Sequence, residues 1–117
     1  MKKITIQKGT RVLMSSHELL FLSFSGQPYR GSVYLAFDSL GESFDTADFK
    51  RYLTHLRSCT LWAEDIAFEI YEQINATIKS KDLGVVVELS ARGGIAQRLS
   101  FGTAFEPLKR NNIFQIG

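Results

Sequence analysis

The run Trp62-Ala63-Glu64-Asp65-Ile66-Ala67-Phe68-Glu69-Ile70-Tyr71-Glu72-Gln73-Ile74-Asn75-Ala76-Thr77-Ile78 decides the fold class. Trp62, Ile66, Ile70, Ile74 and Ile78 recur every four residues, the spacing that stacks side chains on one side of an α-helix. Ala67 and Tyr71 widen the stripe, while Glu69, Glu72 and Gln73 face away from it. A helix is expected from about Leu61 to Lys79, with Gly84 closing the helical section. Upstream, Phe49, Tyr52, Leu53 and Leu56 repeat at the three-four spacing of a second helix face. Asp45 is placed to cap that helix, with Asp48 three residues later, and Phe44 and Phe49 are spaced as a hydrophobic staple.

Strands flank the helices on both sides. Glu18 to Ser25 is rich in Leu and Phe, Gly26-Gln27-Pro28 breaks it, and Ser32 to Phe37 alternates as a second strand. The connection is short, so the two are expected to pair antiparallel. After Gly84, Val85-Val86-Val87-Glu88-Leu89 is β-branched and strand-like. Ala91-Arg92-Gly93-Gly94 reads as a turn and Ile95 to Phe101 as a last strand of poorer pattern. Strand, strand, helix, helix, strand, strand predicts an α+β fold: an antiparallel four-stranded sheet with both helices on one face. Such a sheet is expected to leave its other face and its edges open to self-association.

Composition bounds the function. At 117 residues, 44% hydrophobic and 22% charged, the chain suits one globular domain and excludes disordered and disulfide-dense classes. Fourteen basic against twelve acidic residues leave a net charge of +2, spread along the chain, so direct nucleic-acid binding is not expected. No apolar run approaches the roughly 20 residues needed to span a bilayer. Met1 to Lys8 does not resemble a signal peptide, so a cytoplasmic protein is the expectation.

Few residues carry chemistry. The chain holds two histidines and one cysteine with no metal-ligand spacing, so no metal is expected. Cys59 lies four residues after His55, as a thiol and its base could, but it falls at the break between the helices, where a small residue fills space. Glu64 and Asp65 sit in the first turn of the longer helix. They complement its positive end, or Glu64 accepts hydrogen bonds from the N–H edge of a guanine-like ligand; periodicity alone favours the former. Arg92-Gly93-Gly94 is either an anion-binding nest or a strand connection needing positive φ.

Taken in order, Gly26-Gln27-Pro28, Phe49-Lys50-Arg51-Tyr52-Leu53-Thr54-His55-Leu56-Arg57, Trp62-Ala63-Glu64-Asp65 and Ala91-Arg92-Gly93-Gly94-Ile95 resemble the QueF family over about residues 18 to 105. These are NADPH-dependent nitrile reductases acting on 7-cyano-7-deazaguanine in queuosine biosynthesis, a tRNA-modification route. The resemblance implies the tunnelling fold across the whole chain, a single domain whose ββααββ units associate side by side into homo-oligomers. It also implies purine or 7-deazapurine ligands at subunit interfaces, with Glu64 as the anchoring carboxylate and Arg92, Gly93 and Gly94 as the ligand-site turn.

The departures from the family bear on activity. Leu22 stands at the position of the nucleophilic cysteine, Ser23 at that of the following proline, and Tyr29 at that of the proton-donating aspartate. Ala63 replaces the histidine before the anchoring glutamate. Asp45-Thr46-Ala47-Asp48 replaces the Glu-Ser-Lys-Ser cofactor motif and lacks its lysine, so the NADPH-binding motif is degraded and the cofactor is left unassigned. Leucine has no lone pair with which to attack a nitrile carbon. The expectation is a divergent QueF-like protein that keeps a purine-like pocket without nitrile reduction. The alternatives are an assembly subunit for an active paralogue, or a reductase with another nucleophile.

Overall fold

The computed structural model describes residues 1–90 and 94–107. The elements are β1 (Lys3–Thr5), β2 (Arg11–Leu22), β3 (Pro28–Ser39), β4 (Glu42–Phe44), α1 (Thr46–Leu56), a 3-10 turn (Ala63–Asp65), α2 (Ile66–Thr77), β5 (Ser80–Ser90) and β6 (Ala96–Gly102). The architecture is α+β, with an antiparallel four-stranded sheet in the order β2-β3-β5-β6 and a small β1–β4 pair beside it.

The core forms where the strand and helix periods meet. Val33, Leu35 and Phe37 alternate toward it from β3, and Val85, Val87 and Leu89 from β5. Phe49, Leu53 and Leu56 of α1 and Ile66, Ile70 and Ile74 of α2 join the same cluster, so both helices cover one face of the sheet. α1 lies against β2, and α2 against β5 and β6.

The staple forms as the spacing predicts: the Phe44 and Phe49 rings lie 5.4 Å apart. Asp45 is the N-cap, its Oδ1 accepting from the Ala47 N–H at 2.8 Å. Asp48 does not close a capping box. Its carboxylate instead accepts from the Lys2 N–H and from the Arg51 guanidinium, because the Asp45 N–H donates to the Lys2 carbonyl.

Several expectations are corrected. The longer helix does not begin at Leu61: Trp62 is extended (φ −72°, ψ 139°) and exposed, and helical backbone starts only with the Ala63–Asp65 turn. The turn advances about 120° per residue rather than 100°, which takes Trp62 off the isoleucine stripe. Gly84 does not end a helix, since α2 stops at Thr77 and β5 already runs from Ser80. A side chain at Gly84 would run into the Thr103 carbonyl and the Phe105 ring, so the glycine lets the segment after β6 cross the sheet. The face away from the helices is also less open than expected, because Tyr34, Ala36 and Val86 are buried there.

Candidate functional site

Strand lengths and turns place the motif residues. β2 ends at Leu22, β3 begins at Pro28, β5 ends at Ser90 and β6 begins at Ala96, so both hairpin turns emerge at one end of the sheet. The connector between the helices reaches the same end. Leu22 forms a parallel bridge with Thr60: the Leu22 N–H donates to the Cys59 carbonyl at 3.0 Å, and the Leu61 N–H donates to the Leu22 carbonyl at 2.9 Å. This pairing continues the sheet by one bridge beyond β2 and fixes where the chain enters Trp62-Ala63-Glu64.

Residues far apart in sequence thereby share one surface. Phe24, in the first turn, packs on Trp62 with ring centroids 4.6 Å apart. Phe24 (59% exposed), Trp62 (60%) and Ile95 (65%) are the most exposed large apolar residues among those described, and all three lie at this end. Such clustering of apolar surface is unusual for a side of a protein that contacts only water. Glu64, two residues after Trp62, is exposed, and its carboxylate makes no hydrogen bond or ion pair with a described residue. Its carboxylate is available to a ligand.

A cleft of about 250 Å³ opens between the two turns, walled by Ser23, Gln27 and Tyr29 on one side and Ile95 and Gln97 on the other. The Ser23 N–H donates to the Gln27 carbonyl at 2.9 Å and the Gly26 N–H to the Ser23 carbonyl at 3.0 Å, which closes the first turn tightly. Gly26 supplies the positive φ (85°) that this closure needs. Tyr29 is held by stacking on the buried Phe21 ring, 5.3 Å away and 25° from parallel.

Of the second turn, Gly94 is described and has φ 78°, the left-handed conformation expected of a glycine turn. Arg92 and Gly93, the other two residues assigned to the ligand-site turn, lie outside the described residues. Leu22 and Tyr29 stand near each other, on facing strands at the end of the β2–β3 ladder, where Leu22 pairs with Pro28 and Phe21 with Tyr29.

Cys59 does not meet a base. Its thiol donates to the backbone carbonyl of His55 at 3.6 Å, and its side chain packs against the core. That is the space-filling role the helix break suggests.

The start of α1 does not fit an NADPH phosphate. Where a cation would be required it presents two carboxylates: Asp45, used on the Ala47 N–H, and Asp48, used on Lys2 and Arg51. A phosphate brought there would face negative charge across a helix start already capped.

Sequence reasoning does not show the pairing of Phe24 with Trp62, nor that Gln97 lies on the cleft wall. Local pattern places Phe24 in a strand and Trp62 on the isoleucine stripe, whereas Phe24 lies in the turn after β2 and Trp62 is exposed. The signal that could have separated them is the polar setting of each, Ser23-Phe24-Ser25 and Glu64-Asp65.

No family model and no curated protein matches the sequence. No helix among the described residues is long and apolar enough to cross a membrane.

Proposed function

We propose that this chain is a divergent tunnelling-fold relative of QueF that binds a purine or 7-deazapurine at the turn-bearing end of its sheet and does not reduce nitriles. The observation that carries the reading is that Leu22, the Gly26–Tyr29 turn and Gly94 lie at one end of the sheet, with Phe24 packed on Trp62 two residues before Glu64. Glu64 accepts from the ligand's ring N–H and exocyclic amine. The exposed Phe24 and Trp62 rings supply a stacking surface, for which a flat heterocycle is the natural partner. Leu22 removes the nucleophile, and the carboxylates at the start of α1 disfavour the family's cofactor. The active unit is a homo-oligomer with the ligand at a subunit interface.

Calorimetric titration with 7-cyano-7-deazaguanine and with guanine tests this reading. Saturable binding that weakens at least tenfold in Glu64→Gln supports it, because a charged acceptor is replaced by a neutral one. Affinity unchanged in that variant refutes the role of Glu64, and no binding of either compound refutes the pocket.

A second reading, a non-catalytic assembly subunit, is favoured by a different observation. Phe68 and Phe101 are exposed and pack edge-to-face at 4.9 Å beside the edge strand β6. Light scattering on the purified chain distinguishes the two, since an assembly subunit gives a closed oligomer only with its partner.

A further inference from the structure

We propose that Ser32 is a nucleophile activated by His17, on the face of the sheet away from the helices, and that the protein hydrolyses small esters there. The Ser32 Oγ and His17 Nδ1 atoms lie 2.8 Å apart, the reach that proton transfer from a nucleophile to its base requires. Nδ1 accepts from the hydroxyl when the ring hydrogen is on Nε2, and Nε2 bonds to no described residue.

The fold brings the two together by an irregularity. Val33, Leu35 and Phe37 point into the core, so Ser32 and Tyr34 point to the other face. His17 and Glu18 together oppose Ser32, between the pairs Ser16–Val33 and Leu19–Gly31. Regular alternation would put His17 and Leu19 on one face. The extra residue of the bulge lets His17 face outward beside Ser32 while Leu19 is buried in the core. The buried Tyr34 ring flanks the imidazole edge-on, with centroids 6.1 Å apart and planes at 78°.

Ser32 also borders a cleft of about 410 Å³ whose described lining includes Arg98. Ser32 pairs with Glu88 and Glu88 with Arg98, so the three form one row across adjacent strands. The Arg98 Nε and Nη2 donate to Glu88 at 3.0 and 2.6 Å, and Nη1 bonds to no described residue. Two strand spacings, roughly 10 Å, separate Arg98 from Ser32, a gap that the guanidinium on its stem and an ester between them span. Nη1 is the donor for the carbonyl oxygen as it gains charge.

Oγ adds to the ester carbonyl carbon while its proton passes to Nδ1. The tetrahedral oxyanion collapses and expels the alkoxide, which leaves as the alcohol with the proton from the imidazolium. Water, giving its proton to the same nitrogen, then adds to the acyl-serine. The carboxylic acid leaves, and Ser32 recovers its proton.

The test is a fluorophosphonate on the full chain, which phosphonylates an activated serine with loss of fluoride, read by intact mass and peptide mapping. One addition at Ser32 is expected, at least tenfold slower in His17→Ala, together with hydrolysis of p-nitrophenyl acetate that Ser32→Ala abolishes. No addition, addition at another residue, an unchanged rate in His17→Ala, or no hydrolysis dependent on Ser32 overturns the proposal and leaves the pair an ordinary surface hydrogen bond. If a variant fails to fold, the site of addition in the unaltered chain decides. The purine reading stands or falls separately.

Discussion

Leu22 and Thr60 pair across the gap between the first hairpin and the helix connector, with backbone hydrogen bonds of 3.0 and 2.9 Å on either side of the bridge. The backbone at Leu22, the position that the proposed QueF-like reading aligns with a nucleophile, is therefore held in place although the side chain is an alkyl group.

If the proposed QueF-like reading holds, Leu22→Cys is expected to perform the first chemical step of nitrile reduction and not the second. Its thiol adds across the nitrile of 7-cyano-7-deazaguanine, sulfur to carbon and hydrogen to nitrogen, with nothing lost. Intact-mass spectrometry should show a gain equal to the ligand's mass, while NADPH absorbance stays constant because the start of α1 lacks the cofactor lysine. Absence of the adduct would mean that position 22 does not face the ligand.

Glu42 joins three segments. It pairs with the Lys3 ammonium at 2.9 Å and accepts from the Lys79 N–H at 2.9 Å. The hydrogen bond from Lys3, followed by that from Lys79, holds its carboxyl below the ordinary carboxylate value. A carboxyl depressed in the folded state contributes its stabilisation in full above its unfolded value, and loses it as pH falls through the lower folded value. Acidification below the ordinary carboxylate range should loosen the β1–β4 pair, seen as faster hydrogen exchange at Ile6 and Lys79. Glu42→Gln should flatten that pH dependence.

Asp45→Ala removes the acceptor for the Ala47 N–H and is expected to lower stability by about 0.5–2 kcal/mol, measured by urea unfolding. Asp45→Asn keeps an acceptor and should recover most of the loss.

Ile70→Ala empties a fully buried position beneath α2 and is expected to cost about 2–5 kcal/mol in the same assay. Gly84→Ala should cost about 1–3 kcal/mol through overpacking, because the atoms its methyl meets belong partly to the Thr103 backbone, which has little room to move. A neutral Gly84→Ala would mean that the segment after β6 does not hold to the sheet.

The sequence is most legible where one period runs unbroken. Ile66, Ile70 and Ile74, Val85 to Leu89, and the Phe44–Phe49 staple are all in place because each buries apolar surface in a single repeat. It is least legible where the period is interrupted. The first half of β2 went unread because a bulge between Ser16 and Leu19 resets the alternation, and Ser15, Ser16 and His17 look like loop residues. Ser80 to Leu83 was hidden by a polar run containing Asp82 at φ 55°. The three-residue strands β1 and β4 carry too short a pattern to read. At the candidate site, no periodicity marks Glu64, which stands out only through the residues around it in sequence. The Phe24–Trp62 contact depends on the Leu22–Thr60 bridge, which no local pattern announces.

The four-stranded order β2-β3-β5-β6 is antiparallel throughout, so its two outermost strands run in opposite directions. A second copy set beside the first without turning it over would bring β6 against β2 with the alternation intact and its helices on the same side. A unit with an odd number of strands would break the alternation at every junction between like-oriented copies. Parity, a property of the strand count and of no single side chain, would keep the alternation intact along whatever part of the β2 edge lies clear of the connector bonded at Leu22.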